Sequence, residues 1–118
     1  MARIVRFQQL KAWEVSHQLV LNVYQLALPF SEQYGLASQM RRAAVSVPAN
    51  IAEGFKRRSI HEKVRFYNIA EASLEELKYY LILIQDLGYI DDSQPMMDHA
   101  QEVGRLLYGL IASTERRQ

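Results

Sequence analysis

Seven basic residues lie in the middle of the chain, in two groups that flank an uncharged stretch. Arginine presents forked N–H donors that match a phosphate group, and lysine supplies a point charge, so this set could bind a phosphate backbone. Basic clusters in turns are also common on ordinary solvated surfaces. The candidate residues are Arg41, Arg42, Lys56, Arg57, Arg58, Lys63 and Arg65.

Catalytic and metal chemistry has little support among the histidines and carboxylates. Glu14 and His17 have the Glu-x-x-His spacing of di-iron bundles, but such a site needs a second pair, and the sequence has none. His61-Glu62 is followed by Arg65 where a zinc protease needs histidine. Cysteines and glycine-rich phosphate loops are absent. We therefore predict a protein that is not an enzyme and that has no metal site and no cofactor.

Composition predicts one domain with an uneven distribution of charge. The chain has 118 residues, of which 49% are hydrophobic, enough for one core. Residues 1–65 hold ten Lys/Arg and four Asp/Glu, whereas residues 66–118 hold four and nine. This asymmetry could attract an anion or align neighbouring subunits. The first 18 residues lack an apolar run long enough for a signal peptide or membrane span, so we expect a soluble, cytoplasmic protein.

Apolar residues recur at helical spacing nearly throughout, and no segment shows the alternation of a strand. The pattern predicts helices at about 6–28, 35–54, 59–87 and 94–114 within one domain, 1–118. Gly54 is expected to end the second helix, Ser59 to cap the third, and Ser93 with Pro95 to begin the fourth. Four amphipathic helices with short turns predict an all-α, antiparallel up-and-down four-helix bundle.

The second predicted helix is apolar or small on nearly every side from residue 43 to 52. A helix of this kind is normally buried all round, yet a helix in an isolated four-helix bundle has one face in water. A second copy of the chain could cover this face, which contains Val45, Pro48, Ala49 and Ala52. The alternative is a weakly apolar face that stays exposed.

Polar side chains form one stripe along the same helix. If buried, they could satisfy one another and fix the helix register, or they could line a groove shared between subunits. Pro48 frees the carbonyl of Ala44, so a bend is expected, and Ser46 or Asn50 could serve the backbone there. The stripe consists of Gln39, Ser46, Asn50 and Glu53, together with Arg42 and Arg57.

Three segments resemble the four-helix-bundle family of 23S rRNA-intervening-sequence proteins, also called the S23 ribosomal protein family. They read FxxLxxW at 7–13, YGLxxQxRRAAxSxPxNIAEG at 34–54 and FxxIAxxSxxEL at 66–77. The resemblance covers about residues 7–90, and the central segment is long enough to be specific. A related branch comprises the accessory variability proteins of diversity-generating retroelements, which are pentameric, bind nucleic acid and assist a reverse transcriptase.

The resemblance implies a bacterial homopentamer with a suspected nucleic-acid role. Repeated around a ring, the basic residues would form a belt that tracks phosphates, and we favour RNA as the ligand. No sequence-reading module is visible, so contacts should favour backbone and shape. The alternative that stays open is a protein-interaction scaffold or an accessory subunit, for example of a reverse transcriptase.

Overall fold

Four α-helices account for most of the computed structural model, which describes residues 3–117. They are α1 (Lys11–Tyr24), α2 (Leu36–Lys56), α3 (Ile60–Asp86) and α4 (Gln94–Glu115), and no strand occurs in the described part of the chain. Short 3-10 turns at Phe7–Gln9 and Phe30–Glu32 precede α1 and α2. The ends of the predicted domain, Met1, Ala2 and Gln118, lie outside the described residues.

Consecutive helices pack against each other, and α1 also packs against α4, which closes an antiparallel up-and-down bundle. The protomer measures 47 × 24 × 18 Å. Each helix contributes one apolar face to a single core, because steps of three and four residues return to the same side of a helix. Side chains that are at most 1% exposed in this core include Leu19, Met40, Val47, Ile51, Tyr67, Leu77, Leu81, Ile84, Val103 and Leu107.

The first helix is shorter at both ends than the predicted range of about 6–28. At its start, Gln9 Oε1 accepts hydrogen bonds from the backbone N–H groups of Val5 and Arg6, at 2.8 and 3.1 Å, and stabilises a 3-10 turn instead. At its end, Leu26 and Leu28 pack on the core from beyond α1. Their helical spacing therefore reflects burial alone, which explains the overestimate.

Gly54 does not end α2, contrary to the sequence prediction. The helix continues to Lys56, and Gly54 is buried inside it. A Cβ atom at this position would lie 2.7 Å from Tyr67 Cε1. The glycine is required by the close approach of α3, because no side chain fits between the two helices.

Ser59 and Ser93 occupy the predicted N-cap positions of α3 and α4, but only the Ser59 side chain caps its helix. The backbone N–H of Glu62 donates to Ser59 Oγ at 3.1 Å. Ser93 Oγ donates instead to Gln85 Oε1 at 2.8 Å, and Asp92 Oδ1 accepts from the backbone N–H of residue 94 at 2.9 Å. Pro95 lies in the first turn of α4, as predicted. Within residues 3–117, no helix has the length and apolar character needed to span a membrane.

Candidate nucleic-acid interface

The antiparallel topology places the end of α2, the start of α3 and the end of α4 at one end of the bundle. Burial, followed by the positive charge of Arg117, lowers the pKa of Lys63, so the end of α4 lies within electrostatic reach of α3. Sequence reasoning missed the two arginines after α4, because only the folded chain brings them to this end. We call this end the basic pole: Lys56, Arg57, Arg58, Lys63, Arg65, Arg116 and Arg117.

The α2–α3 turn presents three accessible positive charges of the basic pole. Lys56, Arg57 and Arg58 are all exposed. The backbone of Arg57 is extended as α2 ends, and its guanidinium lies 4.5 Å from the centre of the Phe66 ring. A guanidinium held over an aromatic ring loses less rotamer freedom when it binds a phosphate.

Arg65 is oriented by two neighbours on α3. Its guanidinium lies 4.8 Å from the centre of the Phe66 ring, and its Nε donates to Glu62 Oε2 at 3.1 Å. The side chain is 54% exposed, so the other N–H groups of its fork can reach a ligand.

Lys63 differs from the other predicted phosphate ligands because its ammonium is engaged within the protomer. Its Nζ donates to the backbone carbonyl of Phe55 at 2.6 Å and lies 5.3 Å from the centre of that residue's ring. The carbonyl belongs to the last turn of α2, where carbonyl groups lack partners within the helix. Lys63 therefore links α2 and α3, and the exposed arginines are the stronger candidates for external contacts.

Arg41 and Arg42 do not join the basic pole. Fourteen residues separate Arg42 from Lys56 on one continuous helix, which corresponds to about 21 Å. The guanidinium of Arg41 lies 4.9 Å from the centre of the Tyr24 ring. Both arginines line a cleft of about 430 Å³ with Tyr34. The seven predicted phosphate ligands therefore form two separate basic sites on the bundle.

The four residues of the predicted oligomer interface all line one apolar cleft of about 360 Å³ between α1 and α2. Val45 and Ala49 are exposed, Ala52 is half-buried and Pro48 is buried. The opposite wall includes Trp13, whose ring stacks on His17 at 5.0 Å and meets Phe7 edge-on at 5.2 Å. The second apolar side of α2 is therefore only partly covered within the protomer. We call this cleft the α1–α2 groove: Phe7, Trp13, His17, Val20, Val45, Pro48, Ala49 and Ala52.

The polar stripe of α2 splits between α3 and solvent. Asn50 Nδ2 donates to the carbonyl and the hydroxyl oxygen of Ser46, at 2.8 and 2.9 Å, and Ser46 Oγ shares a 2.7 Å hydrogen bond with Ser73 Oγ. These contacts support the interpretation that Ser46 and Asn50 fix the register of α2. The Asn50 side chain bonds to the Ser46 carbonyl and not to the Ala44 carbonyl that Pro48 frees. Gln39 and Glu53 are exposed. The α2 helix continues through Pro48.

Glu14, His17 and His99 make contacts within the bundle that do not form a metal site. Glu14 is on the surface and pairs with Lys11 at 3.6 Å, while His17 stacks in the α1–α2 groove. His99 Nε2 donates to the carbonyl of Val15 at 3.1 Å. Among residues 3–117, no three His, Asp or Glu side chains gather as metal ligands would.

Comparison with known proteins connects this fold to one family. The model of the family described as 23S rRNA-intervening sequence protein matches residues 8–109. A crystal structure of a protein of unknown function from the S23 ribosomal protein family of Bacteroides thetaiotaomicron is similar, with a TM-score of 0.77 at 22% identity. The similarity covers 85% of this chain and 97% of that one. No curated protein matches this sequence.

Proposed function

The chain belongs to the family of 23S rRNA-intervening sequence proteins, and from that premise we propose that it is a non-enzymatic, homo-oligomeric RNA-binding protein of the bacterial cytoplasm. Its phosphate contacts come from the basic pole. Affinity at this site arises largely from the release of counterions by the nucleic acid. Recognition is by backbone and shape rather than by base sequence.

The observation that carries this proposal is the exposure of Lys56, Arg57 and Arg58 at the same end of the bundle as exposed arginines of α3 and of the segment after α4. Arg57 and Arg65 are held over one phenylalanine ring, so their forked donors are partly ordered before a ligand arrives. Ordered guanidinium groups on a convex end suit the spaced phosphates of a nucleic-acid backbone better than they suit a small ligand.

Assembly is proposed through the α1–α2 groove. A second copy that covers Ala49 and Ala52 would remove the apolar surface that α1 leaves exposed, and small side chains let the neighbouring backbone approach closely. The family resemblance suggests five subunits. In a closed ring the basic pole would recur once per subunit and form a belt.

The test is a salt series of RNA and DNA binding on protein whose mass is measured by light scattering. We expect wild-type affinity to fall steeply with salt. The double variant Arg57→Glu/Arg58→Glu should bind weakly at low salt, and the log–log slope of its salt dependence should be smaller by about one unit for each phosphate that it no longer neutralises. The mass should not change.

Arg105→Glu is the matched control, because this exposed arginine of α4 lies outside the basic pole. Unchanged binding by this control, together with weak binding by the double variant, would support the proposal. Equal binding by wild type and double variant would contradict it.

A protein-interaction scaffold, or an accessory subunit of a reverse transcriptase, is the second candidate. A cleft of about 740 Å³ lies between α3 and α4 and includes Tyr108, which is 72% exposed. An exposed aromatic residue in a broad cleft is typical of protein-binding surfaces. This alternative predicts that Arg57→Glu/Arg58→Glu abolishes capture of a protein partner while nucleic-acid binding is unchanged.

A further inference from the structure

A second basic site lies beside the loop between α1 and α2, at the end of the bundle opposite the basic pole. Its cleft of about 430 Å³ is within the size range of small-ligand sites, about 300–1,000 Å³. The cleft combines two tyrosines, two arginines and two neutral polar side chains with one apolar residue that it shares with the α1–α2 groove: Tyr24, Gln33, Tyr34, Ser38, Arg41, Arg42 and Val45. No acidic side chain is among the described residues that line it.

The aromatic rings of this cleft are turned to solvent instead of to the core. Tyr34 is 93% exposed and Tyr24 is 49% exposed, whereas the core tyrosine, Tyr67, is 1% exposed. Packing within the protomer therefore does not account for Tyr34, which lies between the 3-10 turn and α2. A free aromatic face is what an unpaired nucleobase uses when it stacks on a protein.

Positive charge is positioned next to these rings. The Arg41 guanidinium lies over the Tyr24 ring, 4.9 Å from its centre, and Arg42 is exposed at the next position of α2. Within residues 3–117, neither arginine has a carboxylate within 4.0 Å.

The acidic residue of the same loop is directed elsewhere. Glu32 accepts hydrogen bonds from the hydroxyl of Tyr89 at 2.8 Å and from the backbone N–H of Leu36 at 3.3 Å. The two arginines are therefore available to phosphates, and Gln33 and Ser38 can contact sugar or base edges.

We propose that this cleft binds unpaired nucleotides of a single strand, with a base stacked on Tyr34 and the adjoining phosphates held by Arg41 and Arg42. The inference rests on the proposed nucleic-acid function and deepens it: the basic pole holds backbone, and this cleft selects unpaired segments. Bases inside a duplex cannot stack here, because both of their faces are already covered by neighbouring base pairs.

The experiment compares the affinities of Tyr34→Ala, Tyr34→Phe and wild type for three labelled ligands by fluorescence anisotropy. The ligands are a short RNA strand, the DNA strand of the same sequence and the corresponding RNA duplex. Tyr34→Ala should weaken single-strand binding by about five-fold to one-hundred-fold, as expected when one stacked base loses its aromatic partner. Tyr34→Phe keeps the ring and should bind as wild type does, and duplex affinity should not change.

Tyr108→Ala is the matched control, because it removes an exposed tyrosine outside the cleft. Cross-linking of a 5-iodouracil strand, followed by peptide mass mapping, gives an independent readout that should identify Tyr34. Tighter binding of the RNA strand than of the DNA strand would identify RNA as the source of the unpaired nucleotides. Equal binding of the two strands would show that the cleft recognises base and phosphate without the 2′-hydroxyl group.

Two results together would refute the single-strand site while leaving the proposed function intact. Tyr34→Ala would bind single strands as wild type does, and Arg57→Glu/Arg58→Glu would still bind nucleic acid more weakly than wild type. It also fails if Tyr108→Ala weakens binding as much as Tyr34→Ala. If wild type binds none of the three ligands at low salt, the proposed nucleic-acid-binding function itself is wrong.

Discussion

Gly54 shows how the absence of a side chain sets the contact between α2 and α3. A Cβ atom there would lie 2.7 and 2.9 Å from two atoms of the Tyr67 ring. The ring is 1% exposed and is enclosed by the core, so it cannot swing aside. The position of this glycine is a packing requirement of the two helices.

Gly54→Ala should therefore lower the free energy of unfolding by about 1–3 kcal/mol, because overpacking outweighs the better helix propensity of alanine. Gly109→Ala is the matched control, since Gly109 is an exposed residue of α4 where an added Cβ atom would meet no other atom within 4 Å. It should raise the free energy of unfolding by about 0.5–1 kcal/mol. Urea unfolding followed by circular dichroism measures both, and stabilisation by Gly54→Ala would contradict this account.

Tyr67 makes stability sensitive to alkaline pH. Burial raises the pKa of Tyr67 to about 12, against the opposing charge of Arg117. A tyrosine whose pKa is higher in the folded state stabilises the fold fully below its unfolded pKa of about 10. That contribution is lost as pH rises through about 12.

Tyr67→Phe should therefore flatten the decline in unfolding free energy between about pH 10 and 12, by about 2–3 kcal/mol relative to wild type. The measurement is a series of urea unfolding curves at increasing pH. Tyr108→Phe, at an exposed position, should follow the wild-type curve. Parallel curves for Tyr67→Phe and wild type would refute the assignment.

At the scale of elements, polar side chains fix how the helices pair. Ser46 and Ser73 join α2 to α3, and His99 joins α4 to α1 through two contacts. Its Nε2 donates to the Val15 carbonyl, which leaves Nδ1 to accept from Asn22 Nδ2, each at 3.1 Å. The two bonds specify one ring tautomer and one helix register.

His99→Ala should lower the free energy of unfolding by about 1–3 kcal/mol, because it removes both hydrogen bonds and leaves a gap between α1 and α4. His61→Ala, at an exposed position on α3, should change it by less than about 0.5 kcal/mol. Denaturation curves at one neutral pH compare the two variants. Equal effects would show that the contacts of His99 contribute nothing to stability.

At the scale of the whole molecule, the fold converts the charge asymmetry of the sequence into polarity along the bundle axis. The basic pole occupies one end. Four acidic residues in or next to the two opposite loops lie at the other end, near the second basic site of Arg41 and Arg42: Glu32, Asp86, Asp91 and Asp92. The chain halves cannot separate completely in space, because helices of both halves pack side by side in one bundle. Turns therefore carry the polarity.

The proposed assembly depends on the small side chains of Ala49 and Ala52 in the α1–α2 groove. Ala49→Glu or Ala52→Glu would place a carboxylate in the α1–α2 groove, where burial by a second copy would leave it unpaired. Either variant should reduce the mass measured by sedimentation while helical content is kept. Ala72→Glu, at an exposed position on α3, is the control and should assemble as wild type does. An unchanged mass for Ala49→Glu and Ala52→Glu would show that the groove is not the interface.

The sequence by itself determined the helical class, the four segments and the cap at Ser59, because periodicity and capping depend on residues a few positions apart. It also identified the two-sided character of α2 around Ala49. The sequence predicted the ends of the helices less well. Leu28 keeps helical spacing beyond the end of α1, and Gly54 lies inside α2.

Only the tertiary structure decided which charges act together. Arg117 lies at the same end of the bundle as the α2–α3 turn and Arg41 lies at the other end, although Arg41 is nearer in sequence. Antiparallel helices bring distant chain segments together and separate the two ends of one helix. The engagement of Lys63 with Phe55, and the exposure of Tyr34 beside Arg41 and Arg42, depend on the same long-range packing. The local sequence pattern determines which segments are helical, and the packing of the bundle determines which side chains its ends present to a ligand.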